Sequence, residues 1–156
     1  MRKALAVACP WKLFAPVLFA VVLFTPASNL LAQAAASAQT QEFTQNVKEV
    51  YFPFNIYDKT VNPEVLDSDA VWLKQHPDTH FWIQGYADAR GDIFYNLVLS
   101  YRRAQFIKST LIRDGVSDSQ IGYATGWGKL YPTCSQDDAA CYQKNRRADI
   151  VPPDVM

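Results

Sequence analysis

From Gly85 to Leu111 the chain reads GYADARGDIFYNLVLSYRRAQFIKSTL, and its second half has the spacing of a helix with one buried face. Leu99, Ser100, Arg103, Ala104, Ile107 and Leu111 fall on a single stripe, with an arginine in the middle of it. Arg102 points almost the opposite way. A guanidinium keeps its charge in a protein, so an inward arginine requires a carboxylate partner or a wet groove. An internal salt bridge with Asp88, Asp92 or Glu64 meets the first requirement. A cleft in which the arginine awaits a ligand carboxylate meets the second. Asp88 is within reach: a helix starting near Phe94 puts Arg103 about 13 Å along the axis. Helical side chains lean back toward the N-terminus, and the loop from Ala89 to Ile93 can fold beside the first turns.

The flanking segments show what this helix packs on. It runs from about Phe94 to Arg113 and stops at Gly115. Upstream, Val50, Phe52 and Phe54 alternate with Glu49, Tyr51 and Pro53, the pattern of a half-buried strand, and Pro53 marks a strand end or an edge. NPEVLDSDAVWLKQHP reads as a helix with Asn62 as cap, Pro63 in the first turn and Pro77 as stop. Leu66, Ala70 and Leu73 form its inner face. THFWIQGYAD is a strand with Phe81, Ile83 and Gly85 on one side and Trp82, Gln84 and Tyr86 on the other. QIGYATGW and RRADIV are further strands, joined by a loop with room for one helical turn. The order β-α-β-α-β-β predicts an α+β two-layer sandwich, with both helices on one face of a mixed sheet.

Residues 1–38 read as a cleaved signal peptide. Arg2, Lys3 and Lys12 precede the apolar run Leu13 to Thr25, and AQAAASAQT offers cleavage after Ala34 or Ala38. That run has 13 residues, short of the roughly 20 a spanning helix needs. Cys9 lies before the apolar run, the wrong order for a lipid site. Residues 39–46 are polar and are expected to form a flexible lead, 47–152 the folded domain and 153–156 a tail. Beyond the leader, 12 basic residues face 15 acidic ones. With no clustered positive charge to displace counterions, nucleic acid is excluded as a partner. Cys134 and Cys141 are the two cysteines left, and an even count in an exported chain favours a disulfide. A metal pair there would need further Cys or His ligands nearby. His76 and His80 have the spacing of a zinc helix, but Pro77 breaks it, so no metal is expected. Trp72, Trp82 and Trp127 are read as packing residues.

GYADARG…YNLVLSYRRAQFIKSTL, then G.GKLYP and NRRADI, resemble in order the motifs of the OmpA-like peptidoglycan-binding domains. That family includes the outer-membrane protein A C-terminal domain, the peptidoglycan-associated lipoprotein and MotB. The resemblance runs from about Val50 to Val151, and VYFPFNIYD and DARG lean toward the lipoprotein branch. It implies a non-catalytic domain, without cofactor, that binds the diaminopimelate residue of the peptidoglycan stem peptide. Asp88 would take the ammonium and Arg103 the carboxylate, for which a planar guanidinium is suited. Asn96 matches a loop-fixing or rim asparagine and Arg90 an arginine that can border the ligand in the lipoprotein branch; with Asn55 they are secondary binding candidates. Asn55 stands where the family usually has aspartate, and Tyr86 where histidine is more usual. Arg146 and Arg147 match NRR and are assigned structural roles. The implied location is the periplasm, associated with the outer membrane of a Gram-negative bacterium, with envelope proteins as further partners. Two alternatives remain: a membrane-tethered interaction module with its leader retained, and a peptidoglycan hydrolase using Asp88 and Asp92. Against the hydrolase, Arg103 would lower a neighbouring carboxyl pKa rather than raise it.

Overall fold

The computed structural model describes residues 27–153. In chain order it contains α1 (Ala27–Asn46), β1 (Val50–Tyr51), α2 (Pro63–Gln75), β2 (Phe81–Gly85), α3 (Ile93–Arg113), β3 (Ile121–Gly126), α4 (Ala139–Asn145) and β4 (Arg147–Val151). The four strands form one sheet in the order β1-β4-β2-β3, with β4 antiparallel to both neighbours and β2 parallel to β3. This is the α+β sandwich anticipated from the pattern, with two helices added. One is α4, which occupies the loop allotted a helical turn. The other is α1.

Residues 39–46, expected as a flexible lead, are instead the C-terminal end of α1. Phe43 is the reason: this single large apolar residue in a polar stretch is 1% exposed and packs edge-on against Trp72 at 5.6 Å. The basic and apolar parts of the leader, residues 1–26, lie outside the described residues, and both cleavage options fall within α1. Among the described residues no helix is long and apolar enough to cross a membrane.

The inner faces of α2 and α3 meet the sheet as their spacing requires. Leu66, Ala70 and Leu73 from α2 join Ala104, Ile107 and Leu111 from α3 over Val50, Phe81, Ile83 and Ile150. The first strand is shorter than its alternation suggests. Phe52 is fully buried, but Phe54 lies past the strand and is 60% exposed. Asn62 does not cap α2 with its side chain. Its amide bridges to β1 instead, accepting from Tyr51 N at 2.9 Å and donating to Glu49 O at 3.1 Å. A buried carboxylate accompanies α2: Asp69 Oδ1 accepts from Lys48 N at 3.1 Å, while Oδ2 has no partner among the described residues.

Two glycines set the height of α3 above the sheet. Gly85 and Gly126 are register partners on β2 and β3. A Cβ on Gly85 would lie 2.0 Å from Ser100 O, and one on Gly126 would lie 2.2 Å from Tyr101 N. The helix backbone therefore rests directly on the strand ends, where no side chain fits. This contact brings the N-terminal half of α3 against the loop that leaves β2.

Candidate functional site

Arg103 is fully buried, and no carboxylate lies within ion-pairing distance of it among the described residues. The internal salt bridges open to it in the sequence do not form. Its Nε donates to Ile56 O at 3.0 Å, Nη1 to Tyr86 O at 2.7 Å and Nη2 to Pro53 O at 3.1 Å. The guanidinium thus ties the loop after β1 to the end of β2. A guanidinium has five N–H donors, so one remains on each terminal nitrogen. Burial, reinforced by the like charge of Arg146, pushes its pKa down to about 10, so it stays charged at neutral pH.

Asp88 follows β2 and is 4% exposed. Arg90 reaches back to it, with Nη2 at 2.7 Å from Oδ2 and Nε at 3.2 Å from Oδ1, and Arg90 N also bonds Oδ1 at 3.1 Å. Arg146 Nη1 approaches Oδ2 from the other side at 3.0 Å. Burial alone would raise the Asp88 carboxyl, but the hydrogen bonds from Arg90 and Arg146 outweigh it and hold it below the ordinary carboxylate range. Asp92 is also held low, by backbone N–H groups of Tyr95 and Phe94 that it caps at the start of α3. Neither carboxyl therefore carries a proton to donate at neutral pH, which is what a glycosidase acid needs.

The loop holding Asp88 is braced by its neighbours. Asn96 Nδ2 donates to Arg90 O at 2.7 Å, which makes it a loop-fixing residue, and Lys129 Nζ donates to Gly91 O at 2.8 Å and to Ala89 O at 3.2 Å. Asn55 takes a left-handed backbone (φ 59°), a conformation its short amide side chain tolerates better than most. Its Oδ1 accepts a hydrogen bond from the Tyr95 hydroxyl. Tyr86 lies beside the site on the outer sheet face, where Arg147 stacks on its ring at 3.9 Å.

Asp88, Arg103, Asn55, Arg90 and Asn96 all line one cavity of about 90 Å³, and Arg146 lines it with them. Its charged lining is one carboxylate against three guanidinium groups, a field that draws anionic groups inward. Arg146, assigned a structural role from the sequence, turns inward, bonds Asp88 and lines the same cavity. The signal was present: counted in twos, Arg146 shares the phase of Ala148 and Ile150, which face the core. An arginine in that phase is the same anomaly as Arg103 on its helix. Arg147 faces the other way, pairing with Asp149 at 3.0 Å. The expected disulfide joins Cys134 to Cys141, with Cα atoms 5.3 Å apart.

Comparison with known proteins finds relatives in sequence and in fold. The model of the OmpA family matches residues 51–147. A curated peptidoglycan-associated lipoprotein of Rhizobium meliloti (strain 1021) is 35% identical over 126 residues, 79% of this chain and 70% of that protein. The crystal structure of the peptidoglycan-associated lipoprotein from Burkholderia pseudomallei is 39% identical, with a TM-score of 0.62 over 67% of this chain and 88% of that one. The C-terminal domain of Helicobacter pylori MotB shares the fold at 20% identity, with a TM-score of 0.56 over 67% of this chain and 82% of that one. The motifs on α3 and β4, the sheet order and these matches converge: the chain belongs to the OmpA family.

Proposed function

We propose that this protein is a non-catalytic peptidoglycan-binding domain that holds the cell wall without covalent attachment, through the diaminopimelate residue of the stem peptide. The names of its relatives support peptidoglycan as the ligand, and on this reading its location is the periplasm, at the outer-membrane side of a Gram-negative envelope. On this reading residues 1–38 are an export leader and 47–152 the binding domain. The observation that carries the ligand assignment is the convergence of Asp88 and Arg103 in one cavity. Diaminopimelate is a zwitterion, and the cavity offers a carboxylate for its ammonium and two unused guanidinium N–H groups for its carboxylate.

The test is a pull-down of the purified protein with sacculi whose stem peptides carry either diaminopimelate or lysine. Binding is expected to the first and not the second. Asp88→Ala, folded by its melting curve, should bind about 30-fold to several thousand-fold more weakly, the range for truncating one member of a buried charge pair. Equal capture by lysine sacculi would remove diaminopimelate from the reading.

A further inference from the structure

Asp88 has no free acceptor face for a ligand, because Arg90 and Arg146 share its two oxygens. A ligand ammonium can reach it only if one guanidinium leaves. The two are not equally held. The Arg146 side chain is 10% exposed and also donates to Phe52 O, at 3.2 Å, and to the Gln143 side-chain oxygen. The Arg90 side chain is 43% exposed. Apart from Asp88 it is held by rings, with Phe54 at 4.3 Å and Tyr142 at 4.2 Å from the guanidinium carbon.

The same side chain divides a groove. On one side is the cavity of about 90 Å³ that holds Asp88 and Arg103. On the other is a shallower space of about 440 Å³ walled by Asp137, Asp138 and Tyr142. Phe54, Arg90 and Arg146 line both. With Arg90 in place, the inner cavity has room for a few water molecules and not for an amino-acid residue. Displacement of the Arg90 side chain from Asp88 would join the inner and outer spaces that it now separates.

We propose that Arg90 is a displaceable latch: its guanidinium occupies, in the unliganded protein, the position on Asp88 that a ligand ammonium takes on binding. This rests on the reading of Asp88 as the ammonium acceptor. The latch keeps Asp88 satisfied and charged while empty, and it selects for ligands whose cation can replace a chelating guanidinium on a carboxylate. Phe54 and Tyr142 already flank the guanidinium while it chelates Asp88, and because cation–π contact does not need the carboxylate they keep part of their hold as it slides off. Arg90 is thus a specificity residue acting through Asp88, rather than a grip on the ligand.

The sign of the mutational effect decides the matter. A binding-competent state populated only in part weakens apparent affinity by that fraction. If the latch is closed nine-tenths of the time, Arg90→Ala should bind diaminopimelate sacculi up to about tenfold more tightly than the parent. Arg90→Lys, which keeps the charge but loses the chelate, should fall between them. The full chain is assayed with Asp88→Ala alongside and with melting curves for each variant. Tighter binding in the order Ala, Lys, parent supports the latch. Weaker binding by folded Arg90→Ala, with Asp88→Ala also weak, overturns it and makes Arg90 a direct contact while the Asp88 reading stands. Should Arg90→Ala fail to fold, Arg90→Lys carries the same sign test. Undiminished binding by Asp88→Ala overturns both the latch and the reading beneath it.

Discussion

At the scale of single residues, an arginine on an inward stripe announces a site without saying how it is held. Among the described residues Arg103 has no carboxylate within ion-pairing distance; three backbone carbonyls accept its hydrogen bonds while its charge remains for something else. That makes it structural and functional at once, and the two roles separate by substitution. Arg103→Ala leaves three carbonyls without their donor and should lower stability by about 3 kcal/mol, so its binding loss must be read below its own melting temperature. Arg103→Lys should keep part of the fold and little of the binding, because one ammonium cannot reach three carbonyls and a ligand. Arg102→Ala removes only an exposed group 5.3 Å from the Tyr57 ring and should stay within about 0.5 kcal/mol of the parent. Calorimetry and sacculus capture on the three variants check this; equal losses at Arg102 and Arg103 would sink the assignment. Arg103 was legible in the sequence because it breaks a pattern, and Asp88 because it matches the family motif. Tyr142 and Phe54 were not, since an aromatic side chain reads the same in a sequence whether it packs, clamps a cation or faces water.

At the scale of elements, α4 is where local reading ran out. Seven residues between two loops have no periodicity to detect, yet this short helix supplies one wall of the groove. It is held by two devices. Asp138 accepts from Cys141 N at its start, and Asn145 ties its end to the Cys134 turn, accepting from Thr133 N and Cys134 N and donating to Cys134 O. The disulfide closes the same turn. Tyr142 and Arg146, which reach Arg90 and Asp88, follow immediately. Replacing both cysteines with serine should therefore do two things. Stability should drop by about 2.5 kcal/mol by loop entropy, and sacculus binding should weaken several-fold without vanishing. Unchanged binding in the reduced variant would show that α4 holds its place without the bond.

At the scale of the whole molecule, the buried carboxylates set how stability follows pH. Burial raises Asp69 from its ordinary value to about 7, against smaller opposing effects from Lys48. Burial also raises Asp149, to about 6, with Arg147 opposing. Both give up their protons more readily in the unfolded chain, so the stability they confer is complete below about pH 4 and lost as pH rises through 6 and 7. Asp88 runs the other way, but its low pKa confines its loss to more acidic conditions. The melting temperature should accordingly fall between pH 5 and 8, and Asp69→Asn, which keeps an acceptor for Lys48 N, should flatten that fall. A parent melting temperature that climbs over this range would refute the assignment of a strained, ionising Asp69. The chain's own order of residues determined the elements that repeat a period: the inner faces of α2 and α3, the alternation of β2 and the stop at Gly115 are local, and hydrophobic burial admits one phase for each. It also marked Arg103, because a charge on a buried phase is costly unless it is used; Asp88 was named by the family resemblance. Only the tertiary structure decided what surrounds them. Whether Arg103 meets an acid or three carbonyls, which groups the inward Arg146 bonds and whether Phe43 draws α1 onto the core depend on contacts up to 94 residues apart along the chain. Such contacts are set by the shape of the folded sheet and helices rather than by any local propensity.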